Sequence, residues 1–320
     1  MKTIKLILTI IILTPLLIGA QVVKKHGDLS VNEIYLVDKS GEPLMLKGVS
    51  YGWHNWWPRF YNESTVKWLA EDWNAMVVRA AMGIEPEKGY LDKPEWSKKK
   101  IESVIKGAIK NDIYVIIDWH SHSIQLEPAK EFFAEMAQKY GQYPHVIYEI
   151  YNEPVDDTWK EVKEYSIEVI ETIRKYDPDN IILVGSPHWD QDVHIVADDP
   201  IEGYDNIMYS LHFYAGTHGE FLRERGNYAI GKGIPLFVSE SGSMEASGDG
   251  PIDHEELQKW ITWMEENKIS YLNWSIADKD ETCSMLKKSA SSKGEWKEED
   301  LKESGRLMRE YLRGSMDDRP

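Results

Sequence analysis

Between residues 47 and 275 the sequence repeats one pattern: a short, mostly apolar stretch, then a longer amphipathic one. The apolar stretches fall at 47–50, 75–81, 114–118, 146–151, 181–185, 207–212, 236–239 and 271–275. Most are short and rich in β-branched residues, as strands covered on both faces must be. The segments between them carry apolar stripes at helical spacing. Ile101, Val104, Ile105, Ala108 and Ile109 form one, in a helix opening near Pro94. Val162, Ile167, Val169, Ile170 and Ile173 form a second, stopped at Asp177-Pro178-Asp179. Leu257, Trp260, Ile261 and Met264 form a third. Strand and helix in alternation predict a parallel sheet with crossover helices. Eight such units fit an α/β fold of the (β/α)8 TIM-barrel type, which needs about 250 residues. An open doubly wound sheet fits less well, because no glycine-rich phosphate fingerprint follows the first strand. A hairpin-like segment precedes the barrel: 34–37, a turn at Asp38-Lys39-Ser40-Gly41, then 44–46. It is expected to plug the barrel's lower end.

The two ends of the chain read differently. Lys2 and Lys5 start a segment that is apolar from Leu6 to Ile18 except at Thr9, Thr14 and Pro15, and that ends in Gly19 and Ala20. Residues 1–20 therefore read as a secretory signal peptide cleaved after Ala20, too short to serve well as a membrane span of about 20 residues. Residues 21–320 remain as a single catalytic domain with a short polar C-terminal tail, expected to be monomeric, secreted or periplasmic, with no stable membrane span. The net charge of −17 becomes −19 once Lys2 and Lys5 are removed. Such a chain repels phosphate backbones, so nucleic acid is excluded as a partner and a neutral polymer is compatible. Cys283 is the single cysteine, so no intramolecular disulfide forms. Stability must come from the core, which a chain of this size can build.

Barrel sites gather at the C-terminal ends of the strands. Arg79 lies on the second strand. The third ends in Asp118-Trp119-His120-Ser121-His122, the fourth in Asn152-Glu153-Pro154, the sixth in His212-Phe213-Tyr214, the seventh in Ser239-Glu240-Ser241-Gly242 and the eighth in Asn273-Trp274-Ser275. Glu153 and Glu240 stand out, because each closely follows an apolar strand where a charge without a role is disfavoured. Two such carboxyl groups suit glycoside hydrolysis: one protonates the leaving oxygen and the other attacks the anomeric carbon. They also suit cation binding or helix capping. Asn152 is placed to hydrogen-bond a sugar 2-hydroxyl. Arg79 and Tyr214 are placed to hold Glu240 ionised, and His120 and His212 to contact hydroxyls or tune the acid. A general acid needs its proton near the working pH, so Glu153 is expected above the usual glutamate value of about 4.3, raised by the charge of Glu240.

Thirteen tryptophans add a further signal. Trp56, Trp57, Trp119, Trp189 and Trp274 fall in expected top-face loops or strand ends. There they could stack on the flat apolar faces of β-linked sugars. Trp68, Trp73 and Trp260, on or beside helices, are expected in the core.

With these residues in place, the sequence resembles glycoside hydrolase family 5, whose members are retaining β-glycosidases on (β/α)8 barrels. The motifs that carry the resemblance are Tyr148-Glu149-Ile150-Tyr151-Asn152-Glu153-Pro154 and Pro235-Leu236-Phe237-Val238-Ser239-Glu240-Ser241-Gly242. Residues 74–82, 115–122 and 211–214 support them. The resemblance implies Glu153 as acid/base and Glu240 as nucleophile. It implies site roles for Arg79, His120, Asn152, His212, Tyr214 and Trp274, and no metal or organic cofactor. Within the family the bacterial endoglucanases are most similar. The stretch from Trp274 to Thr282 resembles their segment in which Lys and Glu contact glucose, which implies Lys279 and Glu281. The expected partner is a β-glucan polysaccharide or oligosaccharide. Two departures stand out. Where these enzymes often carry His-Gly-Leu-Gln-Trp, this chain has Gly52-Trp53-His54-Asn55-Trp56, so a donor-side contact is either lost or supplied by His54. Ser241 follows the nucleophile where an aromatic or small residue is common.

Three other readings compete. His120-Ser121-His122 with His188, His212 and Asp278 would suit a metal-dependent, amidohydrolase-like barrel, but leaves both glutamates unexplained. A carbohydrate-binding barrel without catalysis would be expected to have lost its glutamates first. A β-mannanase, or an enzyme of mixed-linkage glucan or xyloglucan, would share the two-glutamate mechanism and differ in its subsites.

Overall fold

The computed structural model describes residues 21–314. The signal segment predicted for residues 1–20 lies outside the described residues. The strands, in chain order, are β1 (Ser30–Asn32), β2 (Tyr35–Val37), β3 (Lys47–Tyr51), β4 (Val77–Gly83), β5 (Tyr114–His120), β6 (Val146–Glu149), β7 (Ile182–Val184), β8 (Ile207–Ser210), β9 (Phe213–Tyr214), β10 (Leu236–Phe237), β11 (Ser241–Gly242) and β12 (Tyr271–Ile276).

Eight strands form one parallel sheet in the order β10-β8-β7-β6-β5-β4-β3-β12. The sheet closes on itself just after β10. Val238 bridges Tyr271 in parallel, donating its N–H to Ser270 O and accepting from Leu272 N, each at 2.9 Å. The fold is thus the (β/α)8 barrel expected, with each expected strand present and its ends shifted by one or two residues in most cases. β4 and β5 run on to Gly83 and His120, past residues 81 and 118, because seven consecutive residue pairs between them keep the ladder bonded.

The helices bury the predicted stripes. In Pro94–Asn111, Ile101, Val104, Ile105 and Ala108 are fully buried. In His254–Asn267, Leu257, Trp260, Ile261 and Met264 face the sheet. The helix Trp159–Arg174 opens on a capping box, in which Thr158 and Glu161 satisfy each other's backbone N–H groups. A final helix, Glu303–Leu312, buries Met308, Tyr311 and Leu312 and sends Arg309 to Asp72 at 2.7 Å.

The N-terminal hairpin is present, but its strands differ from those expected. The antiparallel pair is β1 with β2, reversing at Glu33, which takes a left-handed φ of 55°. The segment after the Asp38 turn adds a single bridge between Val37 and Pro43. Proline has no N–H to extend a ladder. Val31 N–H donates to Asn206 Oδ1 and the Tyr114 hydroxyl to Gly27 O, so the hairpin and the residues before it sit at the N-terminal ends of the strands. The opposite end stays open. No helix of the described residues is long and apolar enough to cross a membrane.

Candidate active site

β9 and β11 are two-residue strands that pair in parallel beyond the barrel proper. They bring the segment after β8 alongside the segment after β10. As a result the Tyr214 hydroxyl donates to Glu240 Oε1 at 2.7 Å. Gly242 is required for this approach: a Cβ there would lie 2.3 Å from the Tyr214 Cδ1.

Arg79 reaches the same carboxylate from β4. Its guanidinium, with no solvent exposure, donates Nη1–H to Glu240 Oε2 at 2.8 Å, Nε–H to Glu149 Oε2 at 2.5 Å and Nη2–H to Asn152 Oδ1 at 2.6 Å. Asp118 Oδ2 lies 3.0 Å from Nη2. Two of its acids, Asp118 on β5 and Glu149 at the end of β6, are fully buried, where an unpaired charge would cost several kcal/mol. Arg79 keeps Glu149 well down, at about 2, against the upward push of burial. Arginine can only donate, so the carbonyl oxygen of Asn152 must face it. The Asn152 Nδ2 is buried and has no partner, which leaves two donors for a ligand hydroxyl.

Glu153 follows β6 and receives two histidines. His212 Nδ1 lies 2.9 Å from Oε1, and His122 Nε2 lies 3.3 Å from Oε2. On its other side His212 Nε2 meets Ser239 Oγ at 2.8 Å and Asp190 Oδ2 at 3.2 Å. Ser239 gives its own proton to Ser210 Oγ, so it accepts from His212. Its Nε2–H therefore points to Ser239, and its Nδ1 shares a proton with the Glu153 carboxyl. Burial opposes a charge on His212, and Asp190, Glu149 and Glu153 outweigh it, raising His212 well above an ordinary histidine. Burial pushes the Glu153 carboxyl up, but the two histidines win and hold it low. This direction is opposite to the expectation of a raised Glu153, because the two histidines favour the carboxylate.

A carboxylate oxygen of Glu153, one of Glu240 and a ring nitrogen of His212 all lie within 4.8 Å of one another. The two glutamates therefore face a common point. They open into a cleft of about 460 Å³, lined also by Trp189, Gln191, His212, Tyr214 and His218. A larger groove, of about 1010 Å³, lies between the helices Glu220–Gly231 and His254–Asn267 and holds none of these residues.

Alternation along β5 decides the next residues. Asp118 and His120 share a face and bond each other at 2.7 Å, while Trp119 points the other way. Trp119 is thus not a top-face ring; it is fully buried against Phe132 and Tyr90. His120 stacks on Trp274 at 5.1 Å and 3° between planes. Burial lowers His120 to about 3, so it is neutral. The expected core rings are inside: Trp73 and Trp260 are fully buried, and Trp68 packs partly buried against the core.

Trp57 is half-buried, packed beside Gly52, and Trp56 is exposed at 52%. Trp53, which the sequence reading did not assign, meets His120 edge-on at 4.3 Å. His54 does not take over the contact that Gly52 lacks. It is fully buried, accepting from Gly83 N at 3.0 Å and bonding Ser97 Oγ at 2.7 Å. Ser241 Oγ is occupied by Leu272 O at 2.9 Å and has a structural part. Lys279 and Glu281 form an ion pair in the loop after β12, and Glu281 also accepts from Cys283 Sγ at 3.2 Å.

Trp189 reaches the rim by an unusual route. His188, Trp189 and Asp190 have φ of 54°, 55° and 57°, three successive left-handed residues, none of them glycine. Each costs about 1–2 kcal/mol relative to a right-handed residue. The turn leaves Trp189 46% exposed at the cleft and sends Asp190 inward to His212.

The residues named for a metal-dependent barrel are not brought together. Among the described residues the close ligand groups are Glu149-Asp190-His212 and Glu153-His212-Glu240. In these, Arg79 already occupies Glu149 and Glu240.

A closed (β/α)8 barrel with two facing carboxylates, one gripped by Arg and Tyr and the other by two His, defines a glycosidase-type site. The chain belongs to the cellulase family, glycosyl hydrolase family 5, whose profile matches residues 37–280. It is 44% identical over 296 residues to an endoglucanase of Clostridium saccharobutylicum, covering 90% of this chain and 66% of that protein. The chain thus spans just under two thirds of that relative's length. A solved structure from Cytophaga hutchinsonii superposes with a TM-score of 0.90 at 47% identity, covering 93% of this chain and 99% of that one. The catalytic domain of Thermobifida fusca endoglucanase Cel5A, solved with cellotetraose, gives a TM-score of 0.86 at 32% identity, covering 91% and 99%.

Proposed function

We propose that the chain is a retaining, endo-acting β-1,4-glucanase, with Glu240 as nucleophile and Glu153 as acid/base. The carrying observation is the approach of their carboxylate oxygens to within 4.8 Å. An inverting pair stands about 6.5–9.5 Å apart to admit a water, and a retaining pair about 5–5.5 Å. Glu240, fixed by Arg79 and Tyr214, attacks the anomeric carbon. Glu153 protonates the departing sugar oxygen, then takes a proton from the water that releases the glycosyl-enzyme. Asn152 Nδ2 donates to the 2-hydroxyl, where a hydrogen bond strengthens in the transition state. Trp56, Trp274 and Trp189 supply stacking faces along the cleft, with Trp57 supporting Trp56 from beneath. His120 and the Lys279–Glu281 pair contact sugar hydroxyls.

Glucan is favoured over mannan by the endoglucanase relatives and by the cellotetraose bound in the Thermobifida domain. We also read the protein as an exported monomer, on the strength of the N-terminal segment and the acidic charge. The test is reducing-sugar release from a soluble β-1,4-glucan, with galactomannan alongside, for the parent and Glu240→Gln. Glucan cleavage that vanishes in the variant is the expected result. Cleavage of galactomannan alone overturns the substrate, and activity that survives Glu240→Gln overturns the nucleophile.

A further inference from the structure

Glu85 takes no part in the mechanism just given, and it is exposed, yet one of its oxygens gathers the turn that follows β5. Ile84 N–H donates to His120 O at 3.3 Å, which carries the β4–β5 ladder one step past its last pair, Gly83 with His120. Glu85 is thereby set level with residues 121–123. Its Oε1 accepts from His122 N and Ser123 N, each at 3.3 Å, and from Ser123 Oγ at 3.0 Å, and it also meets Ser121 Oγ.

The same turn touches Glu153 twice. Ser121 O accepts from Glu153 N at 3.3 Å, and His122 Nε2 lies 3.3 Å from Glu153 Oε2. An imidazole nitrogen donates to a carboxylate or accepts from a carboxylic acid, so this contact serves Glu153 in either state. The two histidines at Glu153 are held differently. The His212 side chain is 2% exposed and bonded at both nitrogens. The His122 side chain is 40% exposed, and its ring neighbours Trp53 and His120 stand 5.5 and 6.1 Å away between centroids. Packing therefore does little to fix His122, and its direction follows from the backbone that Glu85 holds.

We infer that Glu85 is a positioning residue: by bonding the 121–123 turn it aims His122 at Glu153 and so keeps the acid/base carboxyl turned toward the leaving oxygen. The inference rests on Glu153 as acid/base. His212 directs Oε1, and the arm from Glu85 through the turn to His122 directs Oε2. Each carboxyl oxygen has two lone-pair sites, so it can bond a histidine and still face the substrate. A carboxyl directed at both oxygens has less freedom to lose on reaching the transition state. Glu85 is exposed, so water replaces its bonds to the turn when it is removed. The cost then falls on the direction of His122 rather than on the fold.

The test compares Glu85→Ala, Glu85→Gln, His122→Ala and the combination of Glu85→Ala with His122→Ala. It reads kcat/KM on two aryl cellobiosides, one with a poor leaving group and one with a 2,4-dinitrophenyl group that departs without acid help. A misdirected acid matters only where acid help is needed. Glu85→Ala is expected to lose about tenfold or more on the poor substrate and to stay within about twofold of the parent on the activated one. Glu85→Gln keeps an oxygen for the turn and should return the poor substrate to within about threefold of the parent. The combined variant should lose no more than His122→Ala alone, because Glu85 acts through that ring. Equal losses on both substrates, a Gln variant no better than the Ala variant, or losses that add in full overturn the inference. Glu153→Ala runs in parallel: if it does not lose far more on the poor substrate than on the activated one, the acid/base reading itself falls. Should Glu85→Ala fail to fold, His122→Ala decides, and a variant that loses equally on both substrates overturns the inference.

Discussion

Arg79 Nη1 stands 2.8 Å from Glu240 Oε2, an approach from the sheet to the segment between β10 and β11. The arginine comes from the middle of β4 and is fully buried, so its position is set by the sheet. One planar fork serves Glu240, Glu149 and Asn152 at once, with Asp118 against the same edge. Lysine offers a single point of charge and no fork. Arg79→Lys is therefore expected to lose at least about 100-fold in kcat/KM and about 3–5 kcal/mol of stability, the scale for breaking a buried ion pair. Glucan hydrolysis and thermal melting read the two effects. A variant that melts with the parent would show that Asp118 and Glu149 do not need this partner.

Gly242 and Tyr214 form a second dependence. Gly242→Ala brings a methyl to 2.3 and 2.6 Å from Tyr214 Cδ1 and Cε1, so the ring must move. The phenol then leaves Glu240 without its second donor. The expected loss is about 10- to 100-fold in kcat, the scale of one well-placed donor to a charged group, and Tyr214→Phe should reproduce it. If Gly242→Ala is near-parental while Tyr214→Phe is crippled, the ring finds another way to reach Glu240.

His54 makes stability sensitive to acid. Burial first, then the neighbouring His120 and Lys100, lowers its value to about 3 against 6.5 unperturbed. The unfolded chain thus takes up a proton below about pH 6.5 that the folded chain refuses. Stability is full above that pH and falls as pH drops toward 3, by up to about 1.4 kcal/mol per unit. His54→Gln keeps an acceptor for Gly83 and a donor for Ser97 without titrating. Urea unfolding at about pH 7 and pH 5 should show a smaller loss on acidification in the variant. Equal losses would mean that His54 is not the group that titrates.

The barrel was legible because each strand is an apolar run with no competing period, and both glutamates stood out as charges beside such runs. β9 and β11 were not: two residues each carry no pattern, although they set Tyr214 beside Glu240. Glu149 and Asp118 lie within strands read as apolar, and their meaning depends on Arg79, some seventy and forty residues away in sequence. Asp190 was hidden because its direction follows from left-handed backbone angles that no residue type there announces. Trp119 and His54 show the opposite error. Both sit among site residues in sequence, and side-chain alternation or a buried hydrogen bond turns each inward.

Trp189 is the remaining residue whose role the geometry sharpens. Its ring is 46% exposed on the cleft wall, which Gln191 and His218 also line. A stacked sugar there gains about 0.5–1.5 kcal/mol, or up to about tenfold in binding. Trp189→Ala should therefore raise KM by about two- to tenfold on long soluble glucans and change little on aryl cellobiosides whose leaving group is too short to reach the ring. The strained turn carries His188 and Asp190 as well, so the control is thermal melting, which should match the parent if the turn persists. A loss in kcat with a lowered melting temperature would mean that the turn itself has moved, and that Trp189 acts through the fold rather than on the substrate.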